Sequence, residues 1–296
     1  MRSEKEPFDL LPPPFSLCSE QDPKAISTFQ HIIYDYYTDH ERAFPWRESC
    51  DPYHILLSEM MLQQTQTHRV LPFYEKFLST WPTFKEMSEA SLTDILSLWK
   101  GLGYNRRALA LKKIALAAVE KYAGTLPDDQ KLLMELPMIG PATSAAVLAF
   151  AYRRPALYLE TNIRRVLLYF FFDGVEGVKD RQLYELLERV LDPEDPKNWY
   201  YAFMDYGVFL KRKVPNPNRR SAHYTKQGKF ENSNRQIRGE LLTIFTQQGA
   251  LSIDTIVNSL SFPCERIQCC IDALEREGFI TSEASVAEEA PVYQIR

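Results

Sequence analysis

The sequence has no apolar run approaching the ~20 residues needed to cross a bilayer, which excludes a membrane-spanning helix. Its amino-terminal stretch, MRSEKEPFDLLPPPFSL, lacks the long apolar segment that follows the basic start of a signal peptide, so a cytoplasmic protein is expected. Cysteine is scarce and scattered: Cys18, Cys50, Cys264, Cys269 and Cys270 are odd in number and share no ligand spacing. That excludes a disulfide framework and a zinc ligand set, and leaves five reduced thiols. No internal repeat is visible, and no run alternates apolar and polar residues convincingly before residue 280. An excess of positive charge is also missing. The formal net charge is −4, which by itself argues against a polyanionic partner.

What is present is ordinary in bulk and uneven in detail. The 296 residues are 45% hydrophobic and 25% charged, enough for one large or two modest domains with a real core. Between Lys211 and Arg238 stand Lys211, Arg212, Lys213, Arg219, Arg220, Lys226, Lys229, Arg235 and Arg238, against one acid, Glu231. A local strip of this kind can bind phosphates whatever the total charge, and it can equally be a solvated loop.

The Pro-rich residues 1–24 read as a flexible arm. Helical spacing then sets in, with segments at 26–37, from Asp51-Pro52 onward, and at 66–79, 91–99, 105–122 and 128–135. Pro72 is expected to bend or interrupt the 66–79 segment. Further helices fit 142–152, 161–172, 180–191 and 198–208, so the main body is expected to be all-α. Pro215-Asn216-Pro217-Asn218 breaks the chain, and residues 211–234 are expected to form a basic linker. Helices at 235–248, 252–260 and 263–277, followed by possible strands at 278–281 and 291–295, make residues 235–296 winged-helix-like. Such a module serves DNA or protein contacts.

Three motifs carry the chemistry. The hairpin LPMIGPATSAAVLAF, with Met138, Gly140 and Thr143, presents backbone N–H groups at a helix start, where a phosphate can sit; an ordinary helix–helix turn has the same pattern. About twenty residues on, Glu160, Asn162, Arg164 and Arg165 open another helix, and Glu160 alone would pass for a capping acid. Read together, a phosphate-gripping hairpin and a carboxylate at this distance resemble the helix-hairpin-helix superfamily of DNA glycosylases. A third set narrows the likeness: Phe44-Pro45-Trp46-Arg47, then Ser58-Glu59-Met60-Met61-Leu62-Gln63-Gln64-Thr65-Gln66, then Trp99-Lys100-Gly101-Leu102-Gly103-Tyr104. In order and spacing these are similar to the MutY-type adenine glycosylases, over residues 26–208.

The resemblance implies a two-lobed helix-hairpin-helix core over residues 25–210, acting as a monomer on double-stranded DNA with a mismatch or lesion, in the nucleoid. It implies that Glu59 protonates the leaving adenine, that Glu160 stands for the catalytic Asp, and that Arg47 and Asn162 orient the acids. It implies that Gln63 and Gln64 enter or line the DNA helix near the lesion and that Tyr104 wedges beside the opposite base. Met138, Gly140, Thr143, Arg164, Arg219, Arg220 and Lys226 are the expected DNA contacts.

The sequence departs from that family in four places. Glu160 adds a methylene where the family has Asp, and a displacement of ~1 Å can cost on the order of a hundredfold in rate. Ala142 stands where relatives carry Lys, Ser or Tyr, so no Schiff-base amine is available there and a monofunctional glycosylase is expected. The cysteines that hold an iron–sulfur cluster in many relatives fall at or near Lys211, Asn218, Ser221 and Gln227, so no cluster and no other cofactor is expected. Residues 235–296 are too few and too helical for the family's Nudix-like partner domain. The expected function is removal of adenine opposite 8-oxoguanine or guanine in base excision repair. The alternatives are a glycosylase for another damaged base and a lesion-binding protein without catalysis.

Overall fold

The computed structural model describes residues 14–15, 22–225, 228–283 and 291–296. In chain order the helices are α1 (Pro23–His40), α2 (Pro45–Glu48), α3 (Pro52–Leu62), α4 (Thr67–Thr80), α5 (Phe84–Glu89), α6 (Leu92–Trp99), α7 (Arg106–Lys121), α8 (Gln130–Met134), α9 (Pro141–Phe150), α10 (Thr161–Phe171), α11 (Asp180–Val190) and α12 (Pro196–Lys213). A 3-10 turn, Pro217–Arg220, leads to α13 (Asn234–Gln248), β1 (Leu251–Ser252), α14 (Ile253–Ser259), α15 (Cys264–Glu277), β2 (Ile280–Glu283) and β3 (Val292–Ile295). Among the described residues the protein is helical with one small sheet, the all-α body that the sequence led us to expect.

Local chemistry sets the boundaries. Asp22 caps α1 by accepting from the Lys24 amide at 2.9 Å, with Pro23 in the first turn. Ser91 caps α6 through the Asp94 amide at 3.0 Å. α4 runs unbroken through Pro72, contrary to the expected interruption. Pro72 lies in the second turn, where a proline withholds one donor, from the His68 carbonyl, and the buried Val70, Tyr74 and Phe77 hold the helix on its core face.

The chain divides into two compact units, each described in its resolved parts. The first takes in Met1–Asp51, Asp128–Gln130 and Ile139–Lys226. Its core is aromatic: Phe29 of α1 meets Phe170 and Phe171 of α10 and Trp199 and Phe203 of α12 edge-on, at centroid distances of 5.1–6.0 Å. Most of the amino-terminal arm lies outside the described residues, but Phe15 is anchored rather than loose. Its amide donates to the Phe170 carbonyl at 2.8 Å and its ring packs on Phe170 and Phe171.

The second unit takes in Pro52–Pro127, Lys131–Met138 and Gln227–Arg296. Residues 235–296 were expected to stand apart as a domain, yet they share this unit with 52–127. α13 packs against α6, and Glu277 of α15 accepts from Arg106 of α7 and Arg238 of α13. The helical pattern at 235–248 could not say against what α13 packs. The sheet has the order β1-β3-β2, all antiparallel. The two-residue β1 precedes the point where strands were anticipated and is too short to show alternation.

Candidate active site

Glu160 is the N-cap of α10, in extended backbone at φ −115° and ψ 179°. Its Oε1 accepts from the amides of Asn162 at 2.6 Å and Ile163 at 2.8 Å. Its Oε2 accepts from Asn162 Nδ2 at 3.1 Å. Asn162 is fixed in turn, because its Oδ1 accepts from Arg165 Nη1 at 2.7 Å, and the same nitrogen donates to the Gly207 carbonyl at 2.9 Å. Burial raises the Glu160 pKa above the ordinary glutamate range, against the opposing pull of the Ile163 and Asn162 amides, Arg165 and the Asn162 side chain. The result is an acid with both oxygens engaged and some access to solvent, at the helix end whose dipole favours an anion. Such a group can oppose a positive charge that develops nearby. Arg165 and Gly207 were not singled out from sequence; one reads as half of a basic pair and the other as an unremarkable helical glycine.

Arg47 does not join this group. Its side chain is buried and pairs bidentately with Asp205, Nη1 to Oδ2 at 2.8 Å and Nη2 to Oδ1 at 2.6 Å, while Nη1 also donates to the Arg42 carbonyl at 2.9 Å. Burial pulls its pKa down, but Asp205 outweighs that and leaves it raised. The position expected to orient an acid of the site is thus an internal ion pair. Arg164 is likewise committed, to Asp180 and to Ser221 Oγ. Arg220, also expected on DNA, donates to the Leu168 carbonyl at 3.3 Å and the Phe172 carbonyl at 3.2 Å, closing the last turn of α10, and pairs with Asp173 at 2.6 Å. A basic sequence strip does not show which of its cations find internal acceptors. Arg219 is exposed and its side chain has no hydrogen bond or ion pair among the described residues; Lys226 lies outside them.

Glu59 is half-buried on α3, between the buried Ser58 and Met60. The turn after α3 and the Gly101–Tyr104 loop are joined by Arg107, which is buried. Its Nη1 donates to the carbonyls of Met60, Met61 and Gln63 at 2.7–2.8 Å, and its Nη2 to those of Leu102 and Gly103 at 3.1 and 2.8 Å. Burial without a carboxylate partner lowers its pKa to about 10. Gln64 and Tyr104 both adopt left-handed backbone, at φ 56° and φ 50°, and the Tyr104 hydroxyl donates to Gln64 Oε1 at 2.5 Å. Two residues held at positive φ by buried carbonyl bonds form a stiff, exposed pair. Arg107 was missed by sequence reading, since a single Arg in a helix gives no sign of burial.

Before α9, Met138 has φ 60° and is 47% exposed. Gly140 is the N-cap of α9 and offers no side chain to its amides, and Thr143 in the first turn is buried. The start of α9 is thus without a side-chain cap. Farther on, Asn218 is buried with its Nδ2 on the Thr161 carbonyl at 3.1 Å, and Ser221 is buried beside Arg164.

The pattern of the HhH-GPD superfamily of base excision DNA repair proteins matches residues 57–193. An adenine DNA glycosylase of Buchnera aphidicola subsp. Baizongia pistaciae is 31% identical over 183 residues, 62% of this chain and 52% of that protein. An adenine DNA glycosylase of Mycobacterium tuberculosis is 38% identical over 159 residues, 53% of this chain and 50% of that protein. The chain therefore spans about half the length of these relatives. A solved thermostable thymine-DNA glycosylase superposes with a TM-score of 0.57 at 27% identity, over 62% of this chain and 87% of that one.

Proposed function

We propose that the protein, whose residues 57–193 match the pattern of the HhH-GPD superfamily of base excision DNA repair proteins, is a monofunctional DNA N-glycosylase that removes adenine opposite guanine or 8-oxoguanine. The observation that carries this reading is the Glu160 clamp, a carboxylate held by two backbone amides and by Asn162. The Gln63-Gln64 and Gly103-Tyr104 signatures and the likeness to adenine DNA glycosylases favour adenine as the base.

In this reading the N-glycosidic bond breaks with its electron pair leaving on the base. Glu59 supplies the proton that neutralises the departing adenine. Positive charge builds on the sugar, and the Glu160 carboxylate stabilises it while water adds to C1′ and gives up a proton to solvent, from which Glu59 is protonated again. Both groups require a nucleotide outside the DNA stack, and an inserted side chain such as Tyr104 would fill its place. Ala142 offers no amine, so no Schiff base forms at that position and the strand is left uncut by that route. The residues at the family's cluster positions do not fit an iron–sulfur group. Lys211, Asn218, Ser221 and Gln227 provide no thiolate, and Asn218 is already spent on α10.

The test is excision from duplexes with adenine opposite 8-oxoguanine, guanine or cytosine, and with thymine opposite guanine, followed by alkali cleavage. Product is expected from the first two. The variants Glu59→Gln and Glu160→Gln should each lose product and keep DNA binding. Product surviving Glu160→Gln would overturn the assignment of the clamp. Release of thymine in place of adenine would support the second reading, a glycosylase for another base, which the likeness to the thymine-DNA glycosylase favours.

A further inference from the structure

The hydrogen bonds that hold Glu160 extend beyond α10 to the 3-10 turn Pro217–Arg220. The Asn162 amide donates to Glu160 Oε1 at 2.6 Å. That N–H belongs to the same planar peptide group as the Thr161 carbonyl. The Thr161 carbonyl accepts in turn from Asn218 Nδ2 at 3.1 Å. One rigid unit thus has Glu160 at one end and Asn218 at the other. Asn218 is 5% exposed, and its Oδ1 has no hydrogen-bond partner among the described residues. Turning this amide over would set oxygen against oxygen, so the direction of its donor is fixed.

Asn218 is itself held in place. Its amide donates to Asn216 Oδ1 at 3.2 Å, and its carbonyl accepts from the Ser221 amide at 3.1 Å. Just beyond, the Val178 amide donates to the Arg220 carbonyl and the Ala222 amide to the Val178 carbonyl, both at 2.9 Å. Asn218 meets the first turn of α10 and Arg220 its last carbonyls, so the 3-10 turn is strapped to both ends of that helix. Asn218 lies outside residues 57–193, the segment matched by the superfamily pattern. It stands at or near one of the places where the resemblance led us to look for cysteine. A thiolate ligand there would have no hydrogen to give to the Thr161 carbonyl.

A hydrogen bond on a peptide carbonyl draws electron density from its own N–H and strengthens the bond which that N–H donates. The Ile163 amide and Asn162 Nδ2 share the hold on Glu160, and Arg165 pulls the same way from within α10. Arg164 is turned instead to Asp180 of α11, and α12 presents the uncharged Gly207. We propose that Asn218 is a positioning residue for Glu160, which aims and polarises the Thr161–Asn162 peptide group and so keeps the carboxylate in one place and ionised. The inference rests on the glycosylase reading, in which that anion opposes the charge on the sugar. It assigns part of the hold on the anion to a residue that touches neither base nor sugar.

The first readout uses the full chain and needs no catalysis. Glutamate isotopically labelled at its side-chain carboxyl reports the ionisation of Glu160 by NMR, with Glu160→Gln identifying the signal. Asn218→Leu fills a similar space without a donor, and Asn218→Ala serves should the leucine not pack. Either should move the Glu160 midpoint to higher pH, because the charged form loses part of its support. Base release in single turnovers should fall about fivefold, the worth of one ordinary hydrogen bond. Its acid limb should shift in the same direction, with affinity for duplex DNA unchanged. Asn218→Gln keeps the amide donor and should stay close to wild type. Ser221→Ala alters the same turn away from Thr161 and should leave the Glu160 midpoint where it is. Thermal melts confirm that each variant is folded. A folded Asn218→Leu or Asn218→Ala with the wild-type Glu160 midpoint would overturn the proposal. An equal shift in Ser221→Ala would do so too, by making the effect a general loosening of the turn. A wild-type protein that releases no base from any duplex would defeat the proposed activity, while a shifted midpoint in Asn218→Leu would still uphold this assignment.

Discussion

Gly207 of α12 lies so close to Asn162 of α10 that a Cβ on it would fall 2.6 Å from both the Asn162 Cβ and the Asn162 carbonyl oxygen. A gap of that size admits a hydrogen and nothing larger, and what it would strike is backbone. Gly207→Ala must therefore push α10 outward at its first turn, where Asn162 holds Glu160. Because ~1 Å of misplacement costs on the order of a hundredfold, base release under single-turnover conditions should fall by about that factor. Overpacking should also cost roughly 1–3 kcal/mol of stability in a denaturant melt. A variant with wild-type rate would show that the α10–α12 approach does not set the clamp.

The raised pKa of Glu160 gives two pH dependences of opposite sense. Its role requires the anion, so excision should decline on acidification at a pH above the ~4.3 of a free glutamate. For stability, a carboxyl whose folded pKa is raised helps the fold below its unfolded value and loses that contribution as pH rises through the folded value. At pH 8 the buried anion is thus a net cost. The melting temperature of Glu160→Gln relative to wild type should rise as pH goes from about 4 to about 8. A difference that is flat or falls with pH would contradict a desolvated carboxylate. Glu160→Asp withdraws the charge by roughly a bond length and should be slower than wild type if the surrounding backbone is built for the longer acid.

These two cases show where sequence is and is not informative. Helix positions follow from the spacing of apolar residues and from Asp, Ser and Pro at their starts, so nearly every helix was legible. The exceptions are short: α2, α5 and the 3-10 turn at Pro217–Arg220 span too few residues to display a period. Motif order carried Glu160, Asn162, Gln64 and Tyr104. The partners of cations were not legible, because pairing is decided by tertiary proximity. Arg47 stands 158 residues from Asp205, and Arg107 stands 47 residues from Met60, whose carbonyl it holds. The packing of α13 on α6 was hidden for the same reason.

The Arg47–Asp205 pair makes a prediction that separates structure from catalysis. Asp205 is buried, accepting from Arg47 twice and from the Arg42 amide and Nε at 3.0 and 2.6 Å. Removing Arg47 strips a buried carboxylate of its main partner, which costs about 3–5 kcal/mol. Arg47→Ala should show that loss in a urea melt, while the fraction that remains folded releases base at close to the wild-type rate. Lost activity with an unchanged melt would instead give Arg47 a direct part in the reaction.

Glu277 ties the carboxy-terminal helices to α7. Burial pushes its carboxyl up, but Arg106 and Arg238 outweigh burial and hold the pKa at about 2. For an acid with a depressed folded pKa, the stabilisation is present above the unfolded value near ~4.3 and disappears as pH falls toward the folded one. Wild-type protein should therefore lose melting temperature between about pH 5 and pH 2, and Glu277→Gln should lose less over the same window. Equal losses would mean that the two arginines are not anchored there.

The basic strip can be divided by experiment. Arg220 is engaged by two carbonyls at the end of α10 and by Asp173, so Arg220→Ala removes a cation from a helix carboxy terminus and should destabilise by roughly 1 kcal/mol. Arg219, one residue away, is exposed and its side chain has no hydrogen bond or ion pair among the described residues, so Arg219→Ala should leave the melt unchanged. If Arg219 meets a phosphate, its loss removes one released counterion. The slope of log K against log salt should then become shallower by about 1, with affinity reduced alike on every duplex sequence. The measurement is a salt titration of duplex binding for both variants. An unchanged slope for Arg219→Ala would show that this side chain does not touch DNA. A slope change in Arg220→Ala without destabilisation would show that the α10 carbonyls release their cation when DNA binds.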